Sequence, residues 1–192
     1  GEHLEERGVS RREFLAFCSQ IAVVLGLGEA AAPQVAHALQ AVKRPSVIWL
    51  QLQECTGCVE SVIRTAEPTI GDLVLDLVSL DYQHTLMAGA GHAVERALQD
   101  AMKANYGQYV LIVTGSVPLN EGGIYCTIGG RTAKEILEEA AKGAAAILAV
   151  GACAHFGSVQ AARPNPTGAV GVGEIITDRP VVNIAGCPPI GD

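Results

Sequence analysis

The stretch Ser46-Val47-Ile48-Trp49-Leu50-Gln51-Leu52-Gln53-Glu54-Cys55-Thr56-Gly57-Cys58 sets the expected fold. Residues 46–52 form an apolar, partly β-branched run, the pattern of a strand covered on both faces of a parallel sheet. A Cys-x-x-Cys pair follows, with a glycine inside it. Working outward, the same pattern returns twice. Residues 145–150 lead into Gly151-Ala152-Cys153-Ala154-His155-Phe156-Gly157, and residues 181–184 lead into Gly186-Cys187-Pro188-Pro189. Open α/β sheets bind ligands just beyond the carboxyl ends of their strands. Three such ends carrying Cys55, Cys58, Cys153 and Cys187 predict one tetrahedral sulfur site, the chemistry of an iron–sulfur cluster or a zinc ion.

Between these runs, strand-like and helix-like segments alternate. Residues 73–80 read as a second strand and residues 109–113 as a third, with a short helix near residues 59–65. His92–Ala104 has helical spacing, with Val94, Leu98, Ala101 and Met102 on one side and Glu95, Arg96 and Lys103 facing water. Residues 132–142 repeat that spacing. The alternation predicts right-handed crossovers and an α/β fold, a doubly wound, mostly parallel sheet with helices on both faces. Gly- and Pro-rich connections follow most strand ends, among them Gly115-Ser116-Val117-Pro118, Gly122-Gly123, Gly129-Gly130 and Pro164-Asn165-Pro166. Residues 161–177 read as a surface excursion with one or two helical turns.

The chain has 192 residues, enough for one well-buried domain and a short extension. Its net charge of −7 leaves no basic stripe to neutralise phosphates, so nucleic acid is not an expected partner. Residues 1–45 differ in kind from the rest. Ser10-Arg11-Arg12-Glu13-Phe14-Leu15 precedes an apolar stretch, residues 17–27, and an Ala-rich segment holding Ala36-His37-Ala38. A basic pair, a moderate apolar segment and an Ala-x-Ala site, in that order, describe a cleavable export signal. The apolar run is too short to span a bilayer comfortably. Two arginines with Phe-Leu two residues on resemble a twin-arginine signal, which exports folded, cofactor-loaded proteins; an amphipathic helix with a chance Arg-Arg pair is the plainer alternative. The expected division is therefore residues 1–45, signal and linker, and residues 46–192, the cluster domain. Cys18 falls in the apolar region and is expected to be inert. Six cysteines would suffice for bridging, but a chain with so large an apolar core needs no staples, which favours metal over disulfides.

Cys55-x-x-Cys58 alone suits zinc, a redox dithiol or chance. Zinc sites usually pair two such knuckles, whereas Cys153 and Cys187 stand singly and far apart, which favours iron and sulfur. Glycines beside the cysteines let the backbone come close and leave N–H groups for cluster sulfurs, and Pro188 fixes the turn after Cys187. The chain resembles the small, electron-transferring subunit of a [NiFe] hydrogenase of the uptake type, from the twin-arginine pair to the last residue. The shared signatures are Trp49-Leu50-Gln51 leading into Glu54-Cys55-Thr56-Gly57-Cys58, then Gly115-Ser116-Val117-Pro118 and Tyr125-Cys126-Thr127-Ile128-Gly129. Gly151-Ala152-Cys153-Ala154 and Asn183-Ile184-Ala185-Gly186-Cys187-Pro188-Pro189 complete them.

That resemblance implies a flavodoxin-like domain whose Cys55, Cys58, Cys153 and Cys187 ligate the proximal [4Fe–4S] cluster. It implies a Ni–Fe centre in a large-subunit partner, not in this chain, since the large subunit's pattern of two CxxC pairs with an adjacent His or Asp-Pro is missing here. A downstream acceptor such as a cytochrome, a periplasmic location, and membrane association through a partner or a C-terminal anchor belong to the same expectation. So does a further domain beyond Cys187 holding two more clusters, which this sequence does not contain. The two extra cysteines of oxygen-tolerant relatives match Gly57 and Ser158, so a four-cysteine cluster is expected. Cys126 is not a ligand in the family and reads as a small buried hydrophobe. Thr114 stands where relatives commonly carry an acid. His84 and His155 read as structural or surface residues rather than proton carriers, and Glu54 as an interface contact or a solvated loop carboxylate. The competing functions are a quinone-reductase-type relay, which typically opens with adjacent cysteines and is not exported, a cytoplasmic hydrogen sensor, and a zinc-stabilised binding module.

Overall fold

The computed structural model describes residues 10–24, 28–33 and 44–190, and the chain divides into two compact units, residues 1–43 and 44–192. In the first unit Arg11–Val24 forms helix α1 and Glu29–Ala31 a single 3-10 turn. Cys18 is fully buried there beside Ala32 and Phe14, where a thiol packs as a small apolar group. The expected cleavage site, Ala36-His37-Ala38, lies outside the described residues. No described helix is long and apolar enough to cross a membrane.

The second unit is built on a five-stranded parallel sheet. In chain order its elements are β1 (Ser46–Gln51), α2 (Gly57–Ile63), β2 (Ser79–Tyr82), α3 (His92–Ala104), β3 (Tyr109–Thr114), β4 (Val117–Pro118), β5 (Thr127–Ile128) and β6 (Arg131–Thr132). Then come α4 (Ala133–Lys142), β7 (Ala144–Val150), α5 (Ala152–Phe156), α6 (Ser158–Ala161), β8 (Ala169–Val170), α7 (Val172–Ile175) and β9 (Val182–Ile184). The sheet runs β2-β1-β3-β7-β9, with every neighbouring pair parallel. Because β2 and β3 flank β1 on opposite sides, successive right-handed crossovers put α2 and α3 on opposite faces. This is the doubly wound order whose switch point lies between β1 and β3.

β1 lies inside the sheet and every one of its residues is buried. Ile48 and Leu50 of β1, with Leu52 just beyond, join Tyr109, Leu111 and Val113 of β3 and Ile147 and Ala149 of β7 in the main core. The period of two puts these side chains on one face. They meet Val94, Leu98 and Met102 of α3, spaced four apart, and Ile136, Leu137, Ala140 and Ala141 of α4. α4 starts at a reciprocal capping box between Thr132 and Glu135, which satisfies two orphan amide donors. Gly129 and Gly130, at φ 59° and 79°, form the two-residue turn joining antiparallel β5 and β6, a conformation closed to most side chains.

Three readings of the sequence change here. Residues 73–80 are not one strand: the chain makes a turn of helix at Ile70–Asp72, a π-helical stretch at Leu73–Leu77, and enters β2 only at Ser79. Thr69 and Asp72 form a capping box that starts this helical segment, and Leu75 and Leu77 end up exposed rather than in the core. β9 is the sheet's edge, so Val182, Asn183 and Ile184 are exposed instead of buried like an inner strand. Residues 161–177 are more than a surface excursion. β8 pairs with β4, and Val172 and Ile176 are buried in the main core.

Candidate metal centre

The strand register sets the site. Gln51 pairs with Thr114, Thr114 with Val150, and Val150 with Ile184, so four strand ends form one row along the carboxyl edge. Cys55, Cys153 and Cys187 follow this row by four, three and three residues, read off the sequence. The loops are tied across it: Gly151 N–H donates to Ile184 O at 2.9 Å and Ala152 N–H to Gly186 O at 2.7 Å. The Ser61 hydroxyl of α2 donates to Pro189 O, joining the first cysteine loop to the last. Gly115 lets β3 pass close to β1, since a Cβ there would stand 2.7 Å from Leu52 C.

Cys58 and Cys153 are buried, while Cys55 and Cys187 are exposed, and all are free thiols. Burial pushes the Cys58 thiol up to about 12, and charges on Glu54, Cys153 and Cys55 add to the rise. Cys153 is raised for the same first reason, with Cys187 and Glu54 contributing, while hydrogen bonds from Gln160 and Ser158 oppose the shift. The charges of Cys55 and Cys153 are felt at Cys58, and that of Cys187 at Cys153. Gly151 closes the cradle: at φ 89° it faces Cys58, and a Cβ there would stand 2.4 Å from Cys58 Sγ. Among the described residues, no three His, Cys, Asp or Glu side chains gather tightly enough for a single metal ion. Four soft thiolate donors suit either an iron–sulfur cluster or a zinc ion.

Glu54 is not a solvated loop carboxylate. Burial raises its pKa against hydrogen bonds from Thr114, Cys58 and Gln51, and its Oε2 is buried without a protein partner. Thr114 holds the other oxygen, its hydroxyl donating to Glu54 Oε1 at 2.8 Å while accepting from Trp49 Nε1 at 3.1 Å. Thr114, just before the Gly-Ser-x-Pro turn, thus fixes the Glu54 carboxylate at this strand end. Cys126 packs against the core away from the quartet, and burial raises its thiol, as a structural cysteine requires. His155 is exposed and meets Phe156 edge-on, with ring centroids 5.4 Å apart. His84 is half-buried against Tyr82, its pKa lowered by burial, and does not join the cysteines.

Sequence reasoning overlooked the polar groups around the quartet: Gln51, Gln83, Thr85 and Gln160. Gln160 Nε2 donates to Gln53 O at 3.3 Å and its Oε1 is buried without a partner. The available signal was Gln51 itself, an amide inside an otherwise apolar strand. A polar side chain at a core position needs partners, and those partners were worth seeking.

The fold is a doubly wound parallel sheet that carries four cysteines on the loops at its carboxyl edge. Residues 55–192 match the family described as the NADH ubiquinone oxidoreductase, 20 Kd subunit, and the chain belongs to that family. Within it, the chain is similar to hydrogenase small subunits. It is 50% identical over 189 residues to the uptake hydrogenase small subunit of Azotobacter vinelandii, covering 98% of this chain and 53% of that one. It is 48% identical to the Hydrogenase-1 small chain of Escherichia coli K12, covering 98% and 51%. The [NiFeSe] hydrogenase structure from Desulfovibrio vulgaris Hildenborough superposes with a TM-score of 0.74 at 38% identity, over 78% of this chain and 56% of that one. The chain spans about half the length of the curated relatives it matches.

Proposed function

We propose that this chain is the proximal-cluster portion of a hydrogenase small subunit, relaying electrons from H₂ oxidation at a partner's Ni–Fe site. The observation that supports the reading is the placement of the loops bearing Cys55, Cys58, Cys153 and Cys187 along one sheet edge, after three separate strand ends. These four residues would hold a [4Fe–4S] cluster, which when bound supplies one-electron storage and transfer. The chain's own part is to fix the thiolates, bury two of them, and limit water around them. Burial and the nearby Glu54 carboxyl set how readily negative charge accumulates there, and therefore the potential. The large subunit would dock on the carboxyl-edge loops, and electrons would leave towards an acceptor such as a cytochrome. Export by the twin-arginine route to the periplasm, with membrane attachment through a partner or a C-terminal anchor, completes the proposal and rests on Arg11, Arg12 and the apolar segment after them.

The quinone-reductase-type relay shares the family, but identity near 50% runs to hydrogenase small subunits, and Cys55 and Cys58 are separated rather than adjacent. Metal analysis decides between the readings. In the complex purified anaerobically from its host, iron on this chain with nickel on a larger co-purifying subunit is expected. Iron without nickel would leave a relay of another kind, and zinc alone would end the redox reading.

A further inference from the structure

Thr56, between the first two cysteines, has φ 72° and ψ −3°, a left-handed conformation. For a β-branched residue this is a steric outlier, and it persists only where the surroundings over-determine it. Thr56 caps α2 through its carbonyl, which accepts from Val59 N–H at 3.0 Å and Glu60 N–H at 3.1 Å, but its side chain makes no capping bond to the helix. Its hydroxyl instead accepts from Gln51 Nε2 at 2.9 Å.

The direction of that amide is set from behind. Gln51 is 6% exposed, and its Oε1 accepts from Thr85 Oγ1 at 2.8 Å and Gln83 Nε2 at 3.3 Å. Gln83 is 1% exposed and is itself fixed, its Oε1 accepting from Thr85 N–H at 2.6 Å and Leu86 N–H at 2.8 Å. With the acceptor end held by the loop after β2, the donor end of Gln51 faces Thr56, and it also reaches Glu54. A flipped amide would set the Gln51 nitrogen against the Gln83 Nε2 donor and lose that bond.

We infer that Gln51 is a positioning residue: oriented by Gln83 and Thr85, it clamps left-handed Thr56 and so fixes the Cys55–Cys58 loop in its ligand-holding shape. The inference rests on the cluster reading for its consequence, though not for its geometry. Glycine at position 56 adopts φ 72° freely and needs no clamp, so the clamp and the strain can be separated by a double-mutant cycle.

In the full chain purified with its co-expressed partner, Q51L should lose iron to bathophenanthroline disulfonate roughly tenfold faster than wild type, as outer contacts to metal ligands commonly do. Q51L in a T56G background should lose iron at about the rate of T56G alone. Q51M, which keeps the length and removes the donor without adding charge, should follow Q51L in both backgrounds and serves if Q51L does not fold. Wild-type rates in Q51L and Q51M, or equal acceleration in both backgrounds, would overturn the clamp in favour of plain packing. Amide hydrogen exchange at residues 56–59 tests the same point without metal, since Q51L should speed it only where Thr56 is present. A wild-type chain without iron would defeat the cluster reading and leave the exchange cycle to decide the clamp.

Discussion

At the scale of single residues, the polar groups of this domain matter most where they are buried. Asp81 shows a structural version, accepting from the Ser46, Ser79 and Asn105 side chains and so tying the starts of β1 and β2 to the end of α3. Tyr82, one residue on, has a measurable consequence. Its side chain is 1% exposed, and burial pushes its phenol from 10.0 up to about 12, with the Glu95 charge adding to the rise. The unfolded chain releases this proton near pH 10, whereas the folded protein keeps it until about 12. Stability from Tyr82 is therefore complete below pH 10 and declines as the pH climbs towards 12. Urea unfolding of the metal-free chain at pH 9 and pH 11 should show that loss, and Tyr82→Phe should make it shallower. Equal losses in both proteins would mean that Tyr82 ionises as freely folded as unfolded. Residues of this kind were hard to read from sequence, because Gln51 pairs with Gln83 across 32 positions and Thr114 with Glu54 across 60. The cysteine-bearing loops were easier to place, because each follows an apolar strand within a few residues.

At the scale of elements, legibility followed periodicity. α3 and α4 show apolar residues at helical spacing, and the strands expected at residues 46–52, 109–113, 145–150 and 181–184 were found within a residue or two. The segment from Leu73 failed for a physical reason: Leu, Val and Leu in a row satisfy a strand and a helix equally, and only the Thr69-x-x-Asp72 box marks a helix start. Residues 181–184 do form a strand, but an exposed one, since an apolar run does not reveal whether its strand is inside a sheet or at its edge. The two well-read helices also let their caps and cores be ranked. Thr132 accepts from Glu135 N–H and anchors an exposed capping box, so Thr132→Ala should cost about 1 kcal/mol. Leu98 is 1% exposed inside the main core, so Leu98→Ala should cost about 2–5 kcal/mol through lost burial and a cavity. Chemical denaturation of the two variants should preserve that order. A reversal would mean that α3 relaxes into the space and that α4 depends on its cap far more than its packing suggests.

At the scale of the whole molecule, the sheet edge that carries the cysteines also carries exposed apolar side chains. Phe156 is 58% exposed and Val159 80% exposed on the helices that follow Cys153, and Ile190 is 84% exposed after Cys187. Ile124 and Tyr125, beside the Gly122-Gly123 turn, are exposed as well. Apolar groups left in water around the cysteine loops cost free energy unless a second surface covers them, and the proposed electron transfer to a partner would need that surface dry. If the proposed large subunit docks here, Phe156→Glu with Val159→Glu should place two desolvated charges in the contact and abolish co-purification of the larger chain. The substitutions are at exposed positions, so the variant's own unfolding midpoint should stay within about 0.5 kcal/mol of wild type. Cys153, three residues before Phe156, keeps its backbone bond from Gly157 N–H to Cys153 O in either case, so iron content should persist. Retained co-purification would move the docking surface away from this edge. Loss of iron together with the partner would show instead that the substitutions had damaged the cysteine loop, and only loss of the partner with iron intact supports a contact built on these side chains.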